Sequence, residues 1–217
     1  MKKLVIFDLD GTLLDTISDL GQAANYTLSL HGYPTHHLSS YPHFVGNGIS
    51  RLIERVLPAE ERSEELVARL RHDFIDYYNH HLADHTHPYP GIRDLLLDLT
   101  DAGIGCAVAS NKYQEGVDRL INHFFPDIPW AAIEGQRDGM PTKPDPSIVF
   151  DILGKCPTRK ANVLYVGDSG VDMETARRAA IESVGVSWGF RSVQELTENY
   201  ADHIVNSPAE IYELAIK

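Results

Sequence analysis

The chain has 217 residues, of which 43% are hydrophobic and 23% are charged, and this composition is ordinary for a folded globular protein. Its formal net charge of -12 argues against a general nucleic-acid-binding protein, because such proteins cluster lysine and arginine against phosphate backbones. The two cysteines are too few for a disulfide framework, and no apolar run is long enough for a signal-peptide core or a membrane span. We therefore expect a cytoplasmic protein that binds neither nucleic acid nor membrane.

Six apolar runs with strand character occur along the chain, and segments with helical periodicity separate most of them. The six runs are Leu4–Phe7, Ile104–Ala109, Trp130–Ile133, Val163–Val166, Val184–Val186 and His203–Val205. Strands that alternate with helices are typical of βαβ units. The sequence therefore predicts an α/β fold with a Rossmann-like parallel sheet core, helices on both faces, and ligands at the carboxyl ends of the strands.

The alternation breaks once, over residues 16–85, where helical periodicity continues without a convincing strand. The helical segments predicted there are Ile17–Leu30, Ile49–Leu57 and Glu60–Leu82, with breaks at Gly32–Pro34 and Pro58. We therefore expect two domains. Residues 1–15 and 86–217 form the α/β core, and residues 16–85 form an inserted α-helical cap subdomain.

Two carboxylates directly follow the first predicted strand, in the segment Asp8-Leu9-Asp10-Gly11-Thr12. Alternate residues of an extended chain share a face, so the two carboxylates are able to converge on one reacting group. A nucleophile and a proton donor fit that arrangement. The alternative is that Asp-Gly after a strand simply makes a turn.

Polar residues follow two later strands as well, and a lysine lies in a proline-rich loop. These residues are Ser110, Asn111, Asp168, Asp172 and Lys143. Taken singly, Ser110-Asn111 is also explained as a loop or helix cap. Asp168 and Asp172 are also explained as a turn residue and an acid at a helix start, and Lys143 as a solvated charge. Four aspartates in one pocket would repel one another by about 4 kcal/mol for each close pair, so a cation is required. Oxygen ligands without histidine or cysteine favour Mg²⁺ over zinc.

In chain order, these segments resemble the four motifs of the haloacid dehalogenase superfamily. They are Asp8-Leu9-Asp10-Gly11-Thr12, Ser110, Lys143 and Gly167-Asp168-Ser169-Gly170-Val171-Asp172. The resemblance is closest to the phosphoglycolate phosphatase group. This closer similarity rests on Asp15-Thr16, Ser18-Asp19-Leu20, Val45-Gly46-Asn47-Gly48 and Pro90-Gly91.

The resemblance implies a Mg²⁺-dependent phosphatase that hydrolyses small phosphorylated metabolites through an aspartyl-phosphate intermediate. It implies that Asp8 is the nucleophile and that Asp10 protonates the leaving group and then activates water. Mg²⁺ would be held by the Asp8 carboxylate, the Asp10 carbonyl and Asp168, with Asp172 as a direct or outer partner.

The same resemblance implies how the phosphoryl group is bound. Ser110 would donate a hydrogen bond to a phosphoryl oxygen, together with backbone N–H groups near Gly11, Thr12 and Asn111. Lys143 would neutralise Asp8 and the phosphoryl charge.

The chain departs from many relatives at two positions near the fourth motif. Many relatives carry a glycine after the helix that follows this motif, where it can adopt a left-handed conformation, whereas here Arg177-Arg178-Ala179-Ala180 leads into Ile181-Glu182, which makes the local loop an open question. Gly170 replaces a larger residue, and we expect a looser turn beside Asp168.

The predicted cap contains a second candidate for substrate binding. The backbone of Gly46 and Asn47 precedes a helix start, where free N–H groups suit an anion, and Arg51 is a candidate for contacting a substrate carboxylate. The alternative is a loop with a surface arginine. Nine of the eleven histidines lie between His31 and His87, but their spacing matches no zinc motif, so we interpret them as solvated or half-buried side chains.

Other activities of the same fold stay open at this stage. They are a sugar-phosphate mutase of the β-phosphoglucomutase type, a pyrophosphatase or nucleotidase, and a non-catalytic sensor of phosphorylated ligands. Against the mutase, the cap histidine of such enzymes is replaced by Leu20, and Thr12 stands where they usually carry valine. The sequence leaves the substrate open, as well as whether the protein is a monomer or a dimer.

Overall fold

The computed structural model describes all 217 residues, and eight strands form two sheets. The strands are β1 (Leu4–Phe7), β2 (Leu14–Asp15), β3 (His87–Pro88), β4 (Gly105–Tyr113), β5 (Ala132–Gln136), β6 (Val163–Gly167), β7 (Glu182–Val186) and β8 (His203–Val205). The large sheet has the order β5-β4-β1-β6-β7-β8, and every neighbouring pair is parallel. The small sheet pairs β2 with β3 in antiparallel fashion.

Nine α-helices connect or flank these strands. They are α1 (Ile17–Leu30), α2 (Ile49–Val56), α3 (Glu64–His81), α4 (Ile92–Asp101), α5 (Gln114–Phe124), α6 (Ser147–Lys155), α7 (Gly170–Ala179), α8 (Val193–Glu198) and α9 (Pro208–Ile216). Short 3₁₀ turns occur at Leu38–His43, Ala59–Glu61 and Lys160–Asn162. None of the helices combines the length and the apolar character needed to cross a membrane.

The central strand β1 is buried on both faces, because successive side chains of a strand point in opposite directions. Val5 and Phe7 belong to a large apolar cluster that includes side chains of α4, α5 and α9. Leu4 and Ile6 belong to a second cluster that includes side chains of α6 and α7. Helices therefore cover both faces of the parallel sheet, which confirms the predicted α/β fold class.

The helices between β2 and β3 pack on one another, and two connections join this segment to the large sheet. Helix α3 packs against both α1 and α2. The β2–β3 pairing brings the two connections together, and the Asp19 carboxylate accepts hydrogen bonds from the backbone N–H groups of His85 and Thr86. The β2–β3 pairing and the Asp19 hydrogen bonds therefore hold the two connections side by side.

Four of the six predicted strands lie where the sequence analysis expected them, and two are displaced. Strand β4 runs past Ala109 to Tyr113, with an irregular register between those residues. Strand β5 begins at Ala132, because the Trp130 amide donates to the Ile128 carbonyl in a turn. The two-residue strands β2 and β3 were not predicted, since so short a pair has no periodicity to detect.

The predicted long helix over residues 60–82 is shorter than expected. Residues Ala59–Glu61 form a 3₁₀ turn, and α3 begins only after Ser63, whose side chain accepts a hydrogen bond from the Leu66 amide. This is an ordinary N-cap, and it sets the helix start four residues later than the periodicity indicated.

The two departures near the fourth motif are accommodated in different ways. Ala180 itself adopts the left-handed conformation, with φ 56°, and ends α7 without a glycine. The looser turn expected beside Gly170 is not observed, because Ser169 and Asp172 form a reciprocal capping box. The Asn199 side chain fills the space that a Cβ atom at position 170 would occupy.

Candidate active site

The candidate active site lies where β1, β4 and β6 end side by side. Phe7 pairs with Val108 of β4 and with Val166 of β6, so the residues that follow these strands meet at one edge of the sheet. Strand β1 lies between two strands that come later in the sequence, with β4 on one side and β6 on the other. Such a switch in strand order is where parallel α/β sheets bind ligands.

Lys143 lies at the centre of a buried charge cluster. Its Nζ is 2.9 Å from Asp8 Oδ1 and 2.7 Å from Asp172 Oδ1, and it donates to the Ala109 carbonyl at 2.9 Å. A lysine ammonium has three N–H donors, and here three oxygens surround it. Although burial lowers the pKa of Lys143, Asp172 and Asp8 raise it well above its ordinary value, so the side chain is a cation.

Three buried carboxylates form the one group in the protein that is arranged to hold a metal ion. Asp8, Asp168 and Asp172 offer oxygen atoms that all lie within 4.8 Å of one another. Burial raises the pKa of Asp8 to about 7, against the opposing effect of Lys143. Burial likewise raises the pKa of Asp168 well above its usual range, with further contributions from Asp172 and Asp8. A divalent cation would relieve this repulsion, and the all-oxygen donor set suits a hard ion.

The three carboxylates are not equally free to ligate an ion. Asp172 Oδ1 is paired with Lys143, and Asp172 Oδ2 accepts hydrogen bonds from the backbone N–H and the hydroxyl of Ser169. Asp168, by contrast, accepts only one hydrogen bond, from the Phe190 backbone N–H to Oδ2 at 2.6 Å. Asp8 and Asp168 thus each keep a carboxylate oxygen without a hydrogen-bond partner in the protein, whereas both oxygens of Asp172 are engaged.

Two glycines, which carry no side chain, make room for the side chain of Asp168. A Cβ atom at Gly11, whose φ is +88°, would lie 2.4 Å from Asp168 Oδ2, and one at Gly189 would lie 2.2 Å from Asp168 Cβ. Real Cβ atoms do not approach other atoms so closely. The loops after β1 and β7 therefore need glycine at these points to receive the carboxylate.

Asp10 lies beside Asp8 but has separate partners. Its Oδ1 accepts a hydrogen bond from the Thr16 hydroxyl at 2.7 Å and lies 3.0 Å from Lys112 Nζ. Oδ2 makes no hydrogen bond, and the Asp10 side chain is only partly buried. One oxygen of Asp10 is thus anchored, and the other is available to a ligand in the pocket.

Asn111 joins three parts of the site. Its Nδ2 donates to the Gly46 carbonyl at 3.1 Å and to the Lys143 carbonyl at 3.2 Å, and its Oδ1 accepts from the Lys143 amide at 2.8 Å. The neighbouring Ser110 hydroxyl accepts from the Lys112 amide at 3.2 Å, which leaves its own O–H free to donate. Asn111 therefore orients the loop of Lys143 and the loop of Gly46 relative to β4.

A pocket of about 570 Å³, counting its open mouth, lies over these residues. Asp8, Asp10, Ser110, Asn111 and Asp168 line its floor. The segment between β2 and β3 supplies the opposite wall with the side chains or backbone of Val45, Gly46, Gly48, Ile49 and Leu52. The structure thus brings six of the twelve residues singled out in the sequence, the five on the floor and Gly46, into one pocket, and Lys143 and Asp172 lie in the charge cluster beside Asp8.

Four of the residues expected to bind substrate do not face this pocket. The Gly11 amide donates to the Leu14 carbonyl at 2.8 Å and the Thr12 amide to the Leu9 carbonyl at 3.3 Å, so the turn itself uses both groups. Asn47 accepts from Arg55, and Arg51 is exposed on α2, where it pairs with Glu54. Turn closure and side-chain direction thus take these groups away from the pocket in this structure, and their role in binding substrate stays a prediction.

The sequence analysis overlooked three contributors to the site. Lys112 lines the pocket next to Asp10, the Phe190 amide binds Asp168, and Arg191 donates to the carbonyls of Pro42 and Val45. Residues 187–191 directly follow β7, so the rule that strand ends carry function would have pointed to them. Lys112 continues the Ser110-Asn111 motif by one residue, but the strand was expected to end before it.

The histidines of residues 31–87 make local contacts. His31 pairs with Asp73 at 2.7 Å, His81 pairs with Asp84 at 2.7 Å, and His36 contacts the Val56 carbonyl at 2.7 Å. No histidine belongs to the metal-capable group of carboxylates.

Comparison with known proteins places the chain among hydrolases. The sequence profile of the haloacid dehalogenase-like hydrolase family matches residues 5–186. A phosphoglycolate phosphatase from Vibrio cholerae is 33% identical over 225 residues, covering 99% of this chain and 97% of the relative. A phosphoglycolate phosphatase from Chromobacterium violaceum is 34% identical over 219 residues, covering 98% of this chain and 96% of the relative.

Solved structures agree with these sequence matches. The crystal structure of a candidate phosphoglycolate phosphatase from Lactobacillus delbrueckii subsp. bulgaricus has a TM-score of 0.92 and 31% identity, covering 99% of both chains. CbbY from Rhodobacter sphaeroides, solved in complex with phosphate, has a TM-score of 0.83 and 22% identity, covering 97% of this chain and 96% of CbbY. At that level of identity, CbbY shows a shared fold.

Proposed function

The chain belongs to the haloacid dehalogenase-like hydrolase family and is a phosphatase, and on that premise we propose that it hydrolyses small phosphate monoesters of the phosphoglycolate type. We further propose that the reaction uses Mg²⁺ and an aspartyl-phosphate on Asp8. The observation that carries this proposal is the buried arrangement of Asp8, Lys143 and Asp168 at the carboxyl ends of β1 and β6.

In the proposed first step, a carboxylate oxygen of Asp8 attacks phosphorus and forms a new P–O bond while the ester P–O bond breaks. Asp10 gives its proton to the departing alkoxide through the oxygen that has no other partner. Lys143 stabilises negative charge beside Asp8, and the free O–H of Ser110 donates to a phosphoryl oxygen. The products of this step are the alcohol and a phosphorylated Asp8.

In the proposed second step, water attacks the phosphorus of the acyl phosphate. Asp10, now a carboxylate, takes a proton from this water, and the bond between phosphorus and the Asp8 oxygen breaks. Inorganic phosphate leaves, and both aspartates return to their starting states. The anchoring of Asp10 by Thr16 and Lys112 supports this role, because it holds one carboxylate oxygen in place through both steps.

Mg²⁺ would be held by the carboxylates of Asp8 and Asp168 and by the Asp10 carbonyl, with Asp172 as an outer partner through Lys143. When bound, it supplies positive charge beside the transferred phosphoryl group. The raised pKa values of Asp8 and Asp168 support a cation at this place, because both carboxyl groups are buried close together.

We propose that residues 16–85 act as a cap that encloses the leaving group. Two contacts support this role: Asn111 donates to the Gly46 carbonyl, and Arg191 donates to the Val45 carbonyl at 2.8 Å. Ile49 and Leu52 place apolar side chains over the pocket. A closed, partly apolar wall excludes water from the leaving group and strengthens the charge interactions beneath it.

The test is a hydrolysis assay of the purified protein on phosphoglycolate, ethyl phosphate, pyrophosphate, nucleoside monophosphates and sugar phosphates with Mg²⁺. We expect phosphate release from small monoesters, loss of activity with excess EDTA, and loss of turnover in Asp8→Asn with retained folding. Asp98→Asn, an exposed aspartate on α4, is the matched control.

Three results would contradict the proposal. Turnover by Asp8→Asn at the wild-type rate would exclude the covalent step, and activity that persists in EDTA would exclude the metal. Isomerisation of β-glucose 1-phosphate without release of free phosphate would identify a mutase instead.

A further inference from the structure

We propose that Lys112 binds a carboxylate carried one carbon away from the ester oxygen of the substrate, and thereby selects phosphate esters of short 2-hydroxy acids. This inference rests on the proposed phosphatase reaction and deepens it by naming the residue that selects the leaving group. The argument depends on the burial of Lys112, on its neighbours, and on the position of Asp10.

Lys112 is a buried cation at the edge of the pocket. Its side chain is only 3% exposed, although lysine normally keeps its ammonium in water. The Nζ atom lies 3.0 Å from Asp10 Oδ1 and 4.8 Å from the centre of the Tyr78 ring. Tyr78 belongs to α3, so the segment between β2 and β3 helps to hold the ammonium against the floor of the site.

The hydrogen-bonding capacity of Lys112 is not used up. Of the three N–H donors of its ammonium, only the one toward Asp10 Oδ1 has an oxygen within reach. Lys143, by comparison, is surrounded by three oxygens. A buried cation attracts an anionic ligand more strongly than an exposed one, because less water screens its charge. Because Lys112 lines the pocket, that ligand is expected to come from the pocket.

The position of Asp10 indicates which part of a substrate would meet Lys112. A proton donor must come within hydrogen-bond distance of the ester oxygen that it protonates. One oxygen of Asp10 is anchored by Thr16 and Lys112, which leaves the other for this contact. The ammonium is therefore next to the carbon atoms that follow the ester oxygen. A carboxylate attached to the first of these carbons lies within its reach.

The other cations near the pocket are held by contacts away from Asp10. Arg191 donates to the carbonyls of Pro42 and Val45, and Arg51 is exposed on α2 and paired with Glu54. Lys143 is saturated by its three oxygens. Lys112 is thus the pocket cation that lies beside Asp10 with donors to spare, and it takes the carboxylate-binding role for which the sequence analysis offered Arg51 as a candidate.

The test compares two substrates that differ only in the group of interest. Phosphoglycolate carries a carboxylate where ethyl phosphate carries a methyl group. For Lys112→Met we expect the ratio of kcat/KM for phosphoglycolate to kcat/KM for ethyl phosphate to fall by about 10- to 100-fold relative to wild type. Lys112→Gln is a second neutral variant, and Lys112→Arg, which keeps the charge, is expected to retain most of the preference.

Lys160→Met is the matched control, because Lys160 also lies over an aromatic ring, Phe150, but precedes β6 at the opposite edge of the sheet. It should leave the ratio unchanged. If both substrates lose activity equally in Lys112→Met and Lys112→Gln, Lys112 acts only through Asp10 and the inference is overturned. If wild type releases phosphate from neither ester, the proposed function is overturned and the inference with it.

Discussion

Gly189 and Asp168 approach so closely that a Cβ atom at position 189 would lie 2.2 Å from the Cβ of Asp168 and 2.5 Å from the Gly11 carbonyl oxygen. The loop after β7 therefore presses directly on the carboxylate that follows β6. Since the Phe190 amide also donates to Asp168, this loop decides where the carboxylate lies. The contact leads to the first of four predictions.

Gly189→Ala should disturb the position of Asp168 more than the overall fold. The added methyl group must push either the Asp168 side chain or the Gly11 backbone, and a displacement of about 1 Å at a reacting centre lowers activity by about 100-fold. We expect kcat/KM for phosphate release to fall by about that factor. Gly154→Ala on α6 is the control, because a Cβ atom there meets nothing within 4 Å. Wild-type activity in Gly189→Ala would show that the loop yields without moving the site.

Asp168→Asn should stabilise the metal-free protein and remove its response to Mg²⁺. The carboxylate is buried near Asp8 with a single hydrogen bond, and the amide keeps that acceptor without the charge. We expect the unfolding free energy in EDTA to rise by about 1 kcal/mol, which raises Tm by about 2–4 °C. Excess Mg²⁺ should raise the Tm of wild type and of the Asp98→Asn control, but not that of Asp168→Asn. An equal Mg²⁺ shift in all three proteins would place the ion elsewhere.

Glu182 should contribute stability that depends on pH. Its hydrogen bond from Lys2, 2.5 Å in length, lowers the pKa of this carboxyl below its usual value, and His203 adds to the effect. Because the folded-state pKa is lowered, the stabilisation is present at neutral pH and is lost as pH falls through the acidic range.

Glu182 is partly exposed, so we expect Glu182→Gln to lower the unfolding free energy by less than about 1 kcal/mol at pH 7. Melting curves at neutral pH and near pH 3 should show the difference from wild type vanish at the acidic end. Glu213→Gln on α9, an exposed carboxyl without a cation partner, should show no such trend. A difference that persists near pH 3 would show that the pairing is not its source.

Ala180→Gly should stabilise the protein. Ala180 ends α7 with φ 56° and ψ 49°, a conformation that is unfavourable for alanine by about 1–2 kcal/mol and open to glycine. The greater freedom of glycine in the unfolded chain offsets part of this gain. We expect a net rise of about 0.5–1 kcal/mol in unfolding free energy, measured by denaturant titration, with unchanged kcat. A decrease in stability would mean that the Ala180 methyl group makes a favourable contact that outweighs the backbone effect.

Sequence alone located the site residues that directly follow a recognisable apolar strand. Asp8 and Asp10 follow an uninterrupted apolar strand, and Asp168 follows another, so the strand pattern and the parallel-sheet rule were enough to place them at one edge. The strands Leu4–Phe7 and His203–Val205 have the predicted bounds for the same reason. The family resemblance added Lys143, which local pattern does not connect to the strands.

The remaining parts depended on the tertiary structure, because they arise from contacts between residues far apart in the chain. Lys112 is a pocket residue only because β4 continues past Ala109 and because α3 brings Tyr78 over its ammonium. Gly189 matters only because the loop after β7 turns back onto Asp168. Arg51 was a reasonable candidate in sequence, but helix geometry directs it to solvent.

The sequence by itself thus determined the α/β class and the carboxylates that follow β1 and β6, since periodicity and strand ends are properties of neighbouring residues. The tertiary structure decided which cation lies beside Asp10, which loop holds Asp168 and which backbone amides form hydrogen bonds within turns. Those choices depend on side-chain direction and on the packing of the helices against the sheet, and a one-dimensional pattern does not encode either.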